Sequence, residues 1–537
     1  MPERQYLNST GSRILIILPS GTDLAEIIRA AWDQGRTLAL LKPSTAVHDQ
    51  RTVVRNFKPH AIVTTNARGQ IVVSTRPIED AHPSLVEDGS ITVFTSGTTG
   101  PPKGVVIPRA ALIGNALKTA TLHGIGDARP HGTCLALYHV NALVMSLLGT
   151  HLTGEQLLLA DPAEPVRYFA VLRAGAARTA SVNPVELRRI VAAAPKWPDS
   201  LDYLITAAGP CSAGLAAEFY KLYGPRLRQG YGMSEAVNFS FVMPLLDAAE
   251  FKQHYLKARP PIGLPLPDTT FNIEDDELRI HTPDRMLGYL GGIPSVFDDD
   301  GWLCTGDCAV VRDGFVVLRG RKSDVLYAAG GRRVLPADME DQLALPAACG
   351  EYAVAALRRG AVEDDGAALY LTGGWVSEIS EWLLADVRPV LCFIQTERLL
   401  LSGSGKVQRY LMSEESTCVI AALTEIFHDD VQPDPERLAT VVRQFLGLDP
   451  TIGEILVVHV GPADLDVTSL LEQELTAGAT ALVVSMADRS DPPMPDRGFL
   501  AAWQRTDLVR KACARLYTPA GEVLVFWGAR SDGSRST

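Results

Sequence analysis

Residues Ile91–Pro108 read ITVFTSGTTGPPKGVVIP, two short β-branched runs around a loop of Thr, Ser, Gly and Pro. Such a pattern predicts a strand, a connection and a second strand. The connection offers Thr95, Ser96, Gly97, Thr98, Thr99 and Gly100, then Pro101, Pro102 and Lys103. Glycine lets successive backbone N–H groups turn toward an anion, hydroxyls add donors, and lysine adds charge. A triphosphate suits this set; a hydroxyl-rich hairpin turn without ligand is the plain alternative. The stretch is not a P-loop, which runs Gly-Lys-Ser/Thr straight into a helix. Here two prolines precede Lys103 and Gly104 follows it.

Working outward, 537 residues predict more than one domain, about three by the usual size prior. Hydrophobic residues at 46% and charged residues at 21% are ordinary globular composition. A net charge of −12 argues against a nucleic-acid-binding surface. The apolar run Ile14–Leu18 is too short to span a bilayer and makes a poor signal peptide, so no membrane partner is expected. Eight cysteines lie scattered; Cys304 and Cys308 flank a Gly-Asp turn without the second pair a zinc site needs. A reduced, cytoplasmic protein is the expectation.

Residues 12–42 read strand, helix, strand, and RTVVRNFKPHAIVTTN repeats that alternation, which implies a parallel sheet covered by helices. ALIGNALKTATLHG reads as a helix leading to the strand at CLALYHVNALVMSLLG, where His139 follows an apolar strand and precedes a helix-like run. LDYLITAAGPCSAGLAAEFYKLYG is a strand, a small-residue turn and a helix. RLRQGYGMSEAVNFSF carries Tyr231, Gly232, Met233, Ser234 and Glu235. A glutamate beside a tight glycine turn can hold Mg²⁺ on phosphate oxygens, although Ser-Glu pairs also merely cap helices. PIGLPLPDTTFNIEDDELRIHTPDRMLGYLGG alternates as β structure, and Asp307 follows in a TGD turn. LLLSGSGKVQRYLM places Lys406 on a Ser/Gly loop.

Taken in order, these stretches closely resemble the motifs of adenylate-forming enzymes: acyl-CoA synthetases, peptide-synthetase adenylation domains and luciferases. The resemblance covers about residues 12–412. It implies an α/β fold with a large domain of βαβ-type sheets and further β structure over residues 1–320. A small α+β lid domain over 321–415 would carry the catalytic lysine, and 416–537 would be an additional α/β extension of unknown role. Relatives carry a similar opening about fifty residues further along, so an abbreviated front to the large domain is expected. By the resemblance, Thr95 to Gly100 and Lys103 hold the ATP phosphates, and the turn Ala208-Gly209-Pro210 packs on adenine. Tyr231, Gly232 and Ser234 line the nucleotide, with Ser234 standing where threonine is commoner. Asp307 takes the ribose hydroxyls and Arg321 the ribose and phosphate side. Lys406, Glu235 and His139 are implied as catalytic, Glu235 as the Mg²⁺ ligand and His139 at the mouth of the acyl pocket. The hinge position, usually Asp or Lys, is Ser323, and Gly330-Gly331 belongs to the loop that serves the second half-reaction.

The implied reaction joins a small-molecule carboxylic acid to AMP and passes the acyl group to a thiol, of CoA or a carrier protein. Direct transfer to an amine, as in amide synthetases of secondary metabolism, is the alternative. Peptide-synthetase domains hold an α-amino group through an aspartate near Tyr138–Asn141; here no acid stands there, which favours an aryl or fatty acid. In the tail, Ser469 opens S-L-x-x-x-E-L, similar to a carrier's phosphopantetheine site. With Glu472 three residues on, it equally reads as a helix cap.

Overall fold

The structure is a computed structural model and describes residues 12–75, 85–95, 102–126, 128–161, 164–209, 211–328, 332–343, 351–357, 366–373, 390–395, 399–400, 407–413, 455–460, 481–486, 508–518 and 521–530. Its first sheet grows from β1, Arg13–Ile17, whose five residues are all buried. Helix Thr22–Asp33 crosses over to β2, Thr37–Leu40, and helix Val47–Phe57 returns to β3, Ala61–Thr65. Both β2 and β3 pair with β1 in parallel. Leu24, Ala25, Ile27, Ile28, Ala31 and Trp32 form the buried stripe of the first helix, the spacing of an amphipathic face. β4, Ile71–Thr75, closes one edge. On the other side β5, Ile91–Thr95, joins β2 in parallel and folds back on β6, Lys103–Ile107. A two-residue strand, Gly288–Tyr289, extends that edge beyond β6.

A second sheet takes β7, His131–Thr133, β8, Leu157–Leu159, β9, Thr179–Val182, and β10, Tyr203–Thr206. β11, Leu227–Gly232, β12, Phe239–Val242, and β13, Leu264–Pro265, complete it in the order β13-β12-β11-β10-β9-β7-β8. Helix Arg109–His123 and a π-helix over Asn141–Leu148 lie between the two sheets. Leu112, Ala116, Leu143, Val144 and Leu147 pack into the core of the first sheet, and Ala120 and Met145 into that of the second. The expected strand at CLALYHVNALVMSLLG is therefore corrected. The strand, His131–Thr133, ends just before that stretch, while the helix-like run after His139 is a helix, NALVMSLL, buried on every side. An unbroken apolar run of that length reads alike as buried strand or buried helix, and burial between two sheets selects the helix.

A third sheet stacks β14, Thr270–Glu274, β15, Glu277–His281, β17, Leu303–Arg312, and β18, Phe315–Arg321; β16 is the Gly288–Tyr289 strand already placed. Two compact units divide between Arg319 and Gly320. The second unit opens with the hairpin β19, Leu326–Ala328, and β20, Arg332–Val334, and with helix Pro336–Leu343. Its sheet contains β21, Tyr352–Leu357, β22, Gly366–Leu371, β23, Val390–Gln395, β24, Ile455–Val460, β25, Ala481–Met486, β26, Leu508–Thr518, and β27, Gly521–Arg530. Residues 416–537, read from sequence as an appended segment, thus contribute strands to one continuous sheet. β26 pairs antiparallel with β23, Cys392 opposite Ala514, and so covers an edge that would otherwise be open. The α/β class expected from sequence is the class found. Among the described residues no helix is long and apolar enough to cross a membrane.

The second sheet is pinned to the π-helix by His131, which is fully buried. Its Nδ1 meets Thr179 Oγ1 at 2.9 Å, and its Nε2 meets Ser146 Oγ at 3.1 Å and Ser181 Oγ at 3.2 Å. Burial pushes the imidazole down to about 3 from 6.5. His123, buried beside Tyr203 and Arg228, is pushed down as well, first by burial and then by the Arg228 charge. Between pH 6.5 and about 3 the unfolded chain binds a proton that folded His131 refuses. Stability is therefore complete above the unfolded pKa and falls as the solution is acidified, by up to about 1.4 kcal/mol per pH unit. His131→Asn is expected to remove one histidine's share of that slope while lowering stability at pH 7.5 by about 1–3 kcal/mol. Urea midpoints measured from pH 7.5 to 5 check this, and an unchanged slope refutes it.

Candidate functional site

The β5–β6 hairpin runs in unbroken register from Ile91 opposite Ile107 to Thr95 opposite Lys103. Thr95 and Lys103 therefore stand as the two rims of the connecting loop, with the Lys103 side chain exposed. Gly104 lets the base of the hairpin close. A Cβ there would lie 2.9 Å from Phe94 Cε1 and 3.0 Å from Leu290 Cβ. Ser96, Gly97, Thr98, Thr99 and Gly100 lie outside the described residues.

Beside the hairpin runs a strap, residues 282–290. Asp284, almost fully buried, anchors its start through Asn115 Nδ2 at 3.2 Å and Lys118 Nζ at 3.1 Å. Leu287 N donates to Val106 O at 2.8 Å and Leu290 N to Gly104 O at 2.7 Å, which fixes the strap to β6. Just before them Met286 N donates to Glu235 O at 2.9 Å. Tyr289 adds a side-chain link, its hydroxyl donating to Glu235 Oε1 at 2.7 Å. Lys103 Nζ sits 5.4 Å from the centre of the same ring, within cation–π range. Lys103, Tyr289 and Glu235, from three distant parts of the chain, therefore form one chain of contacts.

Glu235 itself comes from a strained turn. β11 ends at Gly232 and a 3₁₀ turn over Ser234–Ala236 follows, so Ser234 heads the turn and Glu235 is buried within it. Val237 then adopts φ +67°, a conformation that β-branched residues avoid, with Asn238 N bonded to Ala236 O at 2.8 Å. Strain of this kind costs about 1–3 kcal/mol and persists only where surrounding packing enforces it. Val237 is fully buried in the core. Gly232 makes the return possible, since a Cβ there would lie 1.6 Å from Asn238 O.

The same strand end supplies Tyr231, whose hydroxyl donates to Asp307 Oδ2 at 2.6 Å. Asp307 lies on β17 and is itself held: its N–H donates to Thr305 Oγ1 at 3.1 Å, and Thr305 donates to Leu278 O at 2.6 Å. Gly306 N donates to Glu277 Oε1 at 2.9 Å. Ala208 and Gly209 follow the end of β10, the parallel neighbour of β11, so both turns open beyond the carboxyl ends of adjacent strands. Ligands of α/β sheets gather at such ends. Ala208 is in the left-handed region at φ +71°.

His139 is exposed and packs edge-on to Tyr138 at 5.1 Å, and its carbonyl accepts from Leu143 N at 2.9 Å. Leu137 N, two residues earlier, donates to Ser20 Oγ at 3.0 Å, tying this corner to the loop after β1. Arg321 ends β18 in the second unit. The 3₁₀ turn Lys322–Asp324 follows, with the Ser323 hydroxyl donating to Asp324 Oδ1 at 3.2 Å. Pro210, Gly330, Gly331, Lys406 and Ser469 lie outside the described residues.

Three residues that shape the site carried no motif in the sequence: Tyr289, Asp284 and Glu277. The only local signal for Tyr289 was an aromatic residue in a Gly-rich stretch, LGYLGG. Among the described residues, no group of three or more His, Cys, Asp or Glu gathers as a metal cage. A single carboxylate suits Mg²⁺, which is held largely by phosphate oxygens and water, so Glu235 fits that metal.

Gly232→Ala is expected to lower stability by about 2–3 kcal/mol, because the added methyl meets backbone that cannot rotate away. A denaturant midpoint within error of wild type would refute the tight return.

Residues 7–290 match the AMP-binding enzyme family. The long-chain-fatty-acid–CoA ligase of Salmonella typhimurium is 29% identical over 287 residues, 48% of this chain and 48% of that protein. The feruloyl-CoA synthase of Amycolatopsis is 28% identical over 357 residues, 61% of this chain and 71% of that protein. The chain thus spans about half the length of the first of these relatives. Among solved structures, o-succinylbenzoate CoA synthetase of Bacillus subtilis, in complex with its acyl-adenylate intermediate, superposes with a TM-score of 0.64 at 20% identity. That likeness covers 80% of this chain and 91% of the other. The same enzyme is also solved with ATP and magnesium ion. With more than half of its length matched, this chain belongs to the AMP-binding enzyme family.

Proposed function

We propose that this protein is an ATP-dependent acid–thiol ligase that activates a carboxylic acid as its acyl adenylate and transfers it to CoA. The observation that carries this reading is the gathering of Lys103 and Glu235 on Tyr289 beside the phosphate-type hairpin. A cation and a carboxylate held close together beside such a loop support this reading, since a metal–triphosphate needs both. The CoA-ligase names of the relatives support the thiol acceptor, and they span fatty and aryl acids.

In the first step a carboxylate oxygen attacks the α-phosphorus of ATP, the bond to the β-phosphate oxygen breaks, and pyrophosphate leaves. The barrier falls through in-line positioning and neutralisation of charge. The loop from Thr95 to Gly100 and Lys103 cradle the phosphates, Ser234 contacts the α-phosphate, and Lys406 meets the developing charge. Glu235 holds Mg²⁺, which when bound supplies positive charge on the phosphate oxygens. Asp307 accepts the ribose hydroxyls with Arg321 nearby, while Ala208 and Gly209 pack on adenine beside Tyr231 and Gly232. His139 stands at the mouth of the acyl pocket. In the second step the thiol sulfur, its proton lost, attacks the acyl carbon and AMP departs with the electron pair. In this reading residues 1–320 bind ATP and acid. Residues 321–415 turn between the steps, withdrawing Lys406 and presenting Gly330-Gly331. The protein acts in the cytoplasm.

Pyrophosphate exchange across a panel of fatty and aryl acids, followed by product analysis with CoA, tests the reading; exchange with no acid in the panel and no CoA thioester counts against it. Lys406→Ala is expected to cut adenylate formation on the order of 10²–10³ while leaving ATP binding largely intact. Exchange near the wild-type rate would remove Lys406 from the mechanism. Substitutions at Gly330 or Gly331 are expected to slow transfer from preformed acyl adenylate more than adenylation itself. Equal losses in both half-reactions would contradict a turning second domain.

A further inference from the structure

The geometry points to Tyr289 as a positioning residue of the metal–triphosphate site. Its hydroxyl aims Glu235 at the metal, and its ring steadies Lys103 at the phosphate loop. This rests on the reading that Glu235 takes Mg²⁺. Tyr289 is 3% exposed and Glu235 9%, so the carboxylate has little water to orient it, and the tyrosine hydroxyl at 2.7 Å sets its plane. Fixing one carboxylate oxygen fixes the direction of the other. Groups that orient a metal ligand in this way commonly govern metal affinity as strongly as the ligand's own surroundings do.

The tyrosine is well placed for such work because its backbone cannot drift. Met286 N and Leu290 N donate to Glu235 O and Gly104 O, and Gly288–Tyr289 pairs with Val105–Val106. Asp284, gripped by Asn115 and Lys118, anchors the upstream end. One residue thus touches the side chains of both charged groups while its strand is bonded to the backbone of each neighbourhood.

Tyr289→Phe keeps the ring and deletes the hydroxyl. It is expected to raise the Mg²⁺ concentration for half-maximal pyrophosphate exchange about tenfold, with the KM for the carboxylic acid unchanged and a modest fall in thermal midpoint because buried Glu235 loses its donor. Equilibrium binding of Mn²⁺ in the presence of ATP, read by electron paramagnetic resonance, is expected to weaken by a similar factor. Tyr289→Leu removes ring and hydroxyl, and is expected to raise the KM for ATP at saturating Mg²⁺ as well, which Tyr289→Phe does not. Glu235→Gln separates the two levels. If it weakens Mn²⁺ binding and Tyr289→Phe does not, the positioning role is overturned while the metal reading stands. If Glu235→Gln leaves Mn²⁺ affinity intact, the metal reading fails and the inference with it. A lower melting temperature or turnover in Tyr289→Phe without any change in metal affinity would mean packing alone.

Discussion

The hydrogen bond from Tyr289 to Glu235 joins parts of the molecule that local structure would leave independent. The hairpin β5–β6 belongs to the first sheet, and Glu235 to the end of a strand in the second. Tyr289 belongs to a segment that arrives only after the third sheet has begun. A buried carboxylate without a partner is costly, so the contact is also a requirement on the fold: the strap must lie against β6 for Glu235 to be satisfied.

Other buried polar groups serve the scaffold in a comparable way. Arg228, buried on β11, meets Met243 O, Leu122 O, Tyr203 and His123, and so binds the second sheet to the end of helix Arg109–His123. His131 does the same for the π-helix. Arg228 and Tyr203 stand at the amino ends of β11 and β10, so they anchor these strands at the end opposite to the one where Ala208, Tyr231 and Glu235 emerge. The strained Val237 shows what that rigidity supports, a backbone shape that the local sequence would not choose.

Legibility from sequence followed the range of the interactions. The first βαβ units and the β5–β6 hairpin are written in nearby residues: the buried stripe of Thr22–Asp33, the β-branched runs at Ile91–Phe94 and Gly104–Ile107. Tyr231, Glu235 and Asp307 stand out in the sequence because they sit in recognisable motifs. Tyr289 and Asp284 do not, because their meaning lies in partners 54 and 169 residues away. The helix-like run after His139 is the buried helix NALVMSLL, but the strand expected just before His139 is misplaced, since β7 ends at Thr133 and CLALYH is not a strand. β26 went unnoticed because Arg510, Lys511 and Arg515 among small alanines hide its alternation. Its partner strand β23 supplies what local pattern lacks.

Synthesis of the chain from its N-terminus gives the strap a temporal role. When the ribosome has released residues through Ile107, the loop hairpin and its parallel neighbours can already pair. Glu235 emerges later, still without its hydroxyl donor, and Gly288–Tyr289 later again. A nascent chain halted before residue 290 would carry the phosphate-type loop and the carboxylate, yet lack the link between them. The joining of the loop hairpin to the Glu235 turn is thereby deferred until the strap has docked, and Met286 and Tyr289 bring with them the last side chains of the first sheet's core.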